Sequence, residues 1–317
     1  MSFTPTPVDP ELADPTVVEE LLVGAIDLHC HSGPSVMPRS LNHMQAIREG
    51  EAVGLKAILF KDHYYSVTPV CALLEEEMQP KMKLLSGIPL NNPTGGFNPY
   101  AVDHGFKLGA RLVWMPTFSA ANHIRHGHRR SMLQTSQKMR PPKALTVIDE
   151  YGQIKDEVKE ILDQIVEYDA VLSAGHLHIS EIWPLFTEAK ARGITRLLVN
   201  HPTFLIGCSV KDMQELAKMG AMLEHSSCMW AGYQSASFTA EDLRTCIEAG
   251  GVDNTIIGSD LGQKNNPTPV EGLRHVISML LALGYSAGDV RKLISENPSK
   301  LIGLDEMAQK PQAEAAE

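Results

Sequence analysis

The chain has 317 residues, of which 28 are Lys or Arg and 38 are Asp or Glu, giving a formal net charge of −10. That balance argues against broad electrostatic binding to nucleic acid or to an acidic membrane surface. With 43% hydrophobic and 21% charged residues the composition is that of a folded globular chain, and at about 150 residues per domain the length allows two domains or a single large α/β barrel.

The first residues, MSFTPTPVDPELADP, carry prolines and acids where a secretory signal would need a basic start and an apolar run. No apolar stretch approaches the roughly 20 residues of a membrane span. Cys30, Cys71, Cys208, Cys228 and Cys246 are odd in number and lack CxxC spacing, so neither a disulfide framework nor a Cys-based zinc site is expected. These features point to a cytoplasmic protein. Residues 1–20 read as an N-terminal extension, 21–305 as the folded unit, and 306–317 as a solvated, disordered tail.

Eight short apolar runs follow in order: AIDLHCH near 25, LKAILFKDH near 55, KLLSGIPL near 83, ARLVWMPTF near 110, DAVLSAGHLH near 169, TRLLVNHP near 195, AMLEHSS near 221 and NTIIGSD near 254. Helix-like stretches lie between most of them, and SLNHMQAIREGEAVG, SEIWPLFTEAKARG and SVKDMQELAKMG each close on a Gly suited to a helix C-cap. Alternation of strand and helix every ~25–35 residues is the pattern of parallel βα units. A doubly wound sheet alternates in the same way. The count of eight, and the polar residues that follow nearly every run, favour a (β/α)8 TIM-like barrel, whose C-terminal strand ends meet on one face. The interval after the fourth run is twice the others and is read as an insertion over about 120–158, with a lid in HIRHGHRRSMLQTSQKMRPP and a small hairpin around Tyr151-Gly152.

The sharpest chemical signal is DLHCHS at 27–32. Side chains two apart on a strand share a side, so His29 and His31 can both face the barrel mouth. Paired neutral imidazoles suit Zn, Mn, Fe or Co. His176 in SAGHLH, His201 in VNHP and Asp260 in IIGSD stand at the ends of the fifth, sixth and eighth runs. This arrangement resembles the amidohydrolase superfamily of metal-dependent barrels, with HxH after the first strand, single histidines after the fifth and sixth and an aspartate after the eighth; ENPSKLIGL at 296–304 is similar to its terminal helix. The resemblance implies that His29, His31 and Asp260 hold a divalent transition metal, zinc first, and that His176 and His201 complete the site or hold a second ion. It also implies that Asp260 is the catalytic base, with His201 beside it. A bound divalent metal lowers the pKa of water towards about 7, so hydroxide is available to attack a polarised centre.

The chain departs from the two-metal pattern after the fourth run, where WMPTF offers neither lysine nor glutamate; Lys61 could supply the bridge if its amine were carboxylated, or could bind a substrate anion. FKDHYY at 60–65 also resembles the polymerase and histidinol phosphatase family, under which Asp62 and His63 would be ligands, but IPLNN and SDLGQ stand where that family places further ligands. Under the main reading His63 contacts substrate. His178, two residues beyond His176, is a further candidate contact, and Arg125 and His128 in the cationic stretch could clamp a carboxylate or phosphate. Glu224 and His225 are left open between the barrel mouth and a structural place, and Asn91-Asn92 between substrate and a turn. The expected function is hydrolysis of a C–N or C–O bond (amide, cyclic amide or lactone) in a small anionic substrate. A decarboxylase or lyase on the same barrel is the alternative, and a homo-oligomer is a family-level expectation.

Overall fold

A computed structural model describes residues 13–126, 135–231 and 238–307. Eight strands lie side by side in chain order and all pair in parallel: β1 (Ile26–Cys30), β2 (Ala57–Phe60), β3 (Lys83–Pro89), β4 (Leu112–Trp114), β5 (Val171–Ser173), β6 (Leu197–Asn200), β7 (Ala221–Ser226) and β8 (Thr255–Gly258). The last strand returns to the first just above their ends. The amide of Asp260 donates to the His29 carbonyl at 2.7 Å, and that of His31 to the Leu261 carbonyl at 2.8 Å. Buried Asp27 fastens the same seam, one carboxylate oxygen accepting from the amides of Ser259 (2.9 Å) and His29 (3.0 Å). The architecture is the expected (β/α)8 barrel.

Strands buried on both faces explain the continuous apolar runs. Inward residues such as Ile26, Leu28, Leu59, Leu85, Trp114, Leu198, Met222 and Ile256 fill the interior, joined from below by Leu301 and Ile302 of the helix Asn297–Ile302, so the lower end is plugged. Outward residues pack beneath the helices in two further clusters. The helices start and stop where their sequences indicate. Asn42 and Ser209 form capping boxes at the starts of His43–Ala52 and Val210–Met219. Gly193 and Gly220 take left-handed conformations at the ends of Ile179–Arg192 and Val210–Met219, as their C-cap reading predicts.

The chain outside the barrel differs from the sequence expectation at both ends. Pro15–Leu22 is a helix that crosses the boundary at residue 20, and its Glu19 pairs with Arg274. At the other end Leu304–Met307 is helical, with Glu306 paired to Arg196, so the stretch read as tail is helical at its start; 308–317 lie outside the described residues. Within the insertion, Ala121–His126 is a short helix. Residues 135–155 run back across the barrel mouth, held by Ser136 N on the Val36 carbonyl and Leu145 N on the Ser119 carbonyl. A single antiparallel bridge, Ile148 with Ile154, closes a turn with Tyr151 and Gly152 at its tip.

Candidate metal centre

His29 reaches the centre through an irregularity that alternation alone would not supply. Ile26 and Leu28 point into the barrel, so His29 in a regular strand would point out. The register of β1 against β2 slips between Asp27 and Cys30, and Cys30 then pairs with Phe60. Such a bulge re-aims the following side chains, placing His29 and His31 above the interior layer on the side where Lys61 continues the inward row of Ala57 and Leu59.

Four histidines stand at the mouth, and each commits its Nδ1 to a partner. His29 Nδ1 donates to Glu224 Oε1 at 2.6 Å, His31 Nδ1 to the Lys61 carbonyl at 3.0 Å and His201 Nδ1 to the Phe204 carbonyl at 3.2 Å, while His176 Nδ1 pairs with His123 Nδ1 at 2.9 Å. Where the partner is an oxygen that can only accept, the proton sits on Nδ1 and a neutral ring presents a lone pair at Nε2. Burial keeps His31 neutral, pushing it down to about 3, and also lowers His201, with His176 and His63 driven well below their ordinary value. The Nε2 atoms of His29 and His31 lie 3.2 and 3.1 Å from the same oxygen, Asp260 Oδ1. Three potential ligand atoms thus converge, with Lys61 Nζ donating to one of them at 2.9 Å, an electron-rich arrangement suited to a cation. Their spacing also suits one: donors held at about 2.0–2.1 Å from a tetrahedral zinc stand roughly 3.3 Å apart. Among the described residues, His29, His31 and Asp260 form the group able to hold a metal ion.

A belt of inward polar residues supports this group. Ser173 donates to Asn200 Oδ1, Asn200 Nδ2 donates to Glu224 Oε2 at 2.9 Å, and Ser226 Oγ donates to Glu224 Oε1 at 3.1 Å, so β5, β6 and β7 together brace the carboxylate that orients His29. Glu224 shares a strand face with interior Met222, the alternation signal that assigns it to the barrel mouth. His225, on the opposite face, is buried towards the helices. Asp260 and His201 both have positive φ, +48° and +33°, a conformation that costs of order 1–3 kcal/mol at a non-glycine residue and concentrates at functional sites.

Lys61 is buried. Its Nζ donates to His29 Nε2 at 2.9 Å and lies 5.1 Å from the centre of the Trp114 ring; burial pushes the ammonium down to about 8. The His201 ring lies 6.2 Å from that of His29 and 5.1 Å from that of His176. His63 stacks on His31 at 4.8 Å and on Phe118 at 3.6 Å, its Nδ1 against Thr117 Oγ1 at 2.9 Å. The remaining candidates lie elsewhere. Asp62 is paired with Arg39 (3.2 Å) and accepts from the Tyr64 amide, which removes it from the phosphatase-like ligand set. His178 caps Ile179–Arg192, its Nδ1 accepting from the Ser180 amide. Arg125 is exposed on Ala121–His126, and His128 lies outside the described residues. Asn91 is a brace, its Oδ1 accepting from the amides of Thr117 and Ser119. His123, part of the stretch read as a lid, is buried against His176; its cationic neighbours in sequence masked that role.

Fold and site together define a (β/α)8 barrel with a histidine and carboxylate cluster at its mouth. Solved structures share the fold across nearly the whole chain. An amidohydrolase from Pseudomonas aeruginosa matches at 14% identity over 92% of this chain and 98% of its own, with a TM-score of 0.63. The probable dipeptidase PvdM from the same organism matches at 10% identity over 91% and 97%, TM-score 0.63, and 2,6-dihydroxybenzoate decarboxylase from Rhizobium at 11% over 89% and 99%, TM-score 0.55. No curated protein matches the chain. Residues 24–224 match the family of unknown function DUF6282, and the chain belongs to that family. The matched span includes His29, His31, Lys61, His176, His201 and Glu224 and ends before Asp260. Among the described residues no helix is long and apolar enough to cross a membrane.

Proposed function

We propose that the protein is a metal-dependent hydrolase that cleaves a C–N or C–O bond in a small molecule. The observation that carries this reading is the convergence of His29 Nε2, His31 Nε2 and Asp260 Oδ1 at 3.1–3.2 Å with both imidazole protons committed elsewhere. Those three atoms would hold the ion, with His176 as a further candidate donor, and the nitrogen and oxygen set suits zinc over softer alternatives. When bound, such an ion polarises a substrate oxygen and lowers the pKa of water.

The remaining chemistry falls to the chain. The Asp260 side chain is 17% exposed, so its carboxylate faces both the buried histidines and the mouth; it accepts a proton and returns it to the leaving group. His201, oriented by the Phe204 carbonyl, offers Nε2 as a second proton acceptor. Lys61 Nζ donates to the substrate oxygen that gains charge, and His63, with Phe118 behind it, forms the wall against which the substrate rests.

Metal content per chain, measured after purification without chelator, tests the site. One ion per chain is expected, retained in Lys61→Ala and lost in His29→Ala; two ions falling to one or none in Lys61→Ala would make Lys61 a bridge instead. A panel of amides, cyclic amides and lactones tests the reaction. Carbon dioxide release from aromatic or unsaturated acids, with no hydrolysis, would replace the hydrolase reading with a decarboxylase.

A further inference from the structure

A cleft of about 1130 Å³ opens between residues 91–97 and the returning segment 135–155. Its inner end is His63 with Phe118, and His63 lies against His31, so the cleft leads directly to the metal centre. Phe118 and Phe97 give it flat apolar surfaces. Farther out it is lined by Lys138, Arg140, Lys143 and Lys155, with Glu157 as the one carboxylate among the lining residues, in a chain whose net charge is −10. The backbone carrying these cations is pinned: Lys143 N donates to Asn92 Oδ1 at 2.7 Å, and Leu145 bridges to Ser119 and Ala121 through both its amide and its carbonyl. Lys155 Nζ lies 5.7 Å from the centre of the Phe97 ring, at the join between the apolar and the charged parts.

We propose that the cleft is a specificity subsite for the end of the substrate remote from the reacting bond, and that this end is a planar or apolar group carrying a carboxylate or phosphate; that the reacting end lies at the histidines rests on the hydrolase reading above. The order of surfaces, imidazole, then aromatic, then cationic, sets the order of chemical groups along such a molecule. A short polar substrate would leave the aromatic stretch empty. A neutral one would leave four neighbouring cations, three of them exposed at the rim, with Glu157 as the one carboxylate among the lining residues.

The test is calorimetry on the full chain dialysed against chelator, with naphthalene-2,6-dicarboxylate as probe, naphthalene-2,6-dimethanol as its neutral counterpart and adipate as a dianion without a ring. The naphthalene dicarboxylate should bind at least about tenfold more tightly than either control, and less tightly as salt is raised. Lys138→Ala/Arg140→Ala/Lys143→Ala, all at exposed positions, should weaken it about tenfold, since each contact at the rim contributes modestly. His29→Ala should bind the probe like the native chain, which separates this subsite from the metal. Equal affinity for the dicarboxylate and the dimethanol, or an unchanged affinity in the triple variant with its circular dichroism intact, would overturn the proposal. Probe binding that survives alongside undiminished turnover by His29→Ala would instead overturn the hydrolase reading and leave the subsite standing.

Discussion

Glu224 touches no substrate, yet its charge should decide how tightly the metal is held. Its Oε1 accepts from His29 Nδ1 at 2.6 Å and from Ser226 Oγ at 3.1 Å, and its Oε2 accepts from Asn200 Nδ2 at 2.9 Å. Glu224→Gln keeps the shape but brings one acceptor oxygen and one NH2 group to a position where all three neighbours donate. One donor therefore faces another, and His29 loses the anion that makes its Nε2 electron-rich. A hydrogen bond to a charged group contributes about 1.5–3 kcal/mol, and loss of a carboxylate behind a metal-binding histidine costs about 10–100-fold in affinity. The two routes agree on a loss of roughly 2 kcal/mol, or about 30-fold. Competition against a chelating dye measures it, with thermal melts of the chelator-treated proteins to confirm that Glu224→Gln is folded. A folded variant that binds metal within about threefold of the native chain would show that Glu224 does not tune His29, and the tautomer argument would fall with it.

Other outcomes follow from the same geometry. Asp260→Asn should keep the metal and lower kcat by about 10²–10⁴-fold, whereas His29→Ala should lose the metal; the opposite pattern in paired metal and rate measurements would exchange the two roles. His225 is buried with no partner for Nε2, and burial pushes it from 6.5 down to about 4. Only its neutral form suits the fold, so its contribution is complete above about pH 6.5 and is lost as pH falls towards 4, by about 3 kcal/mol in total. In urea unfolding of metal-free protein, His225→Phe should lose less stability than the native chain between pH 7 and pH 4 by that amount, and equal losses would refute the assignment. Gly262 has φ +114°, and an added Cβ would lie 1.6 Å from the His31 carbonyl oxygen, while one at Gly109, φ +95°, meets nothing within 4 Å. Gly262→Ala should therefore cost at least about 4 kcal/mol and Gly109→Ala about 1–2 kcal/mol, read from their urea midpoints.

The barrel is legible because each strand is buried on both faces and each connection carries a helix, so apolar runs recur at the right interval with caps between them. The convergence of His29, His31 and Asp260 is legible for a related reason: polar residues immediately after an apolar run at a barrel mouth have few other places to go. The bulge in β1 is not legible, because a one-residue slip leaves no mark in composition, and strict alternation would have set Leu28 and His29 on opposite faces. The belt of Ser173, Asn200 and Glu224 is hidden differently. Each is a single polar residue at the end of an apolar run, and only the closed barrel shows that their faces meet. His123 was obscured by Arg125, His126 and His128, neighbours whose charge suggested a solvated lid, whereas one turn of helix is enough to bury one residue and expose the next.

The three atoms proposed to hold the ion come from the two extremities of the sheet, His29 and His31 beside β1 and Asp260 after β8. An ion bound there acts as a clasp between the beginning and the end of the barrel, across the seam that Asp27 fastens from within. A chain still emerging from synthesis, or one cut before β8, has the paired histidines without their carboxylate, so loading must await the final strand. Metal capture at the proposed site would then select for finished barrels. Its binding energy, about 2.7 kcal/mol when free ion stands at a hundred times Kd, would fall on the one junction of the sheet whose two strands are not consecutive in the chain.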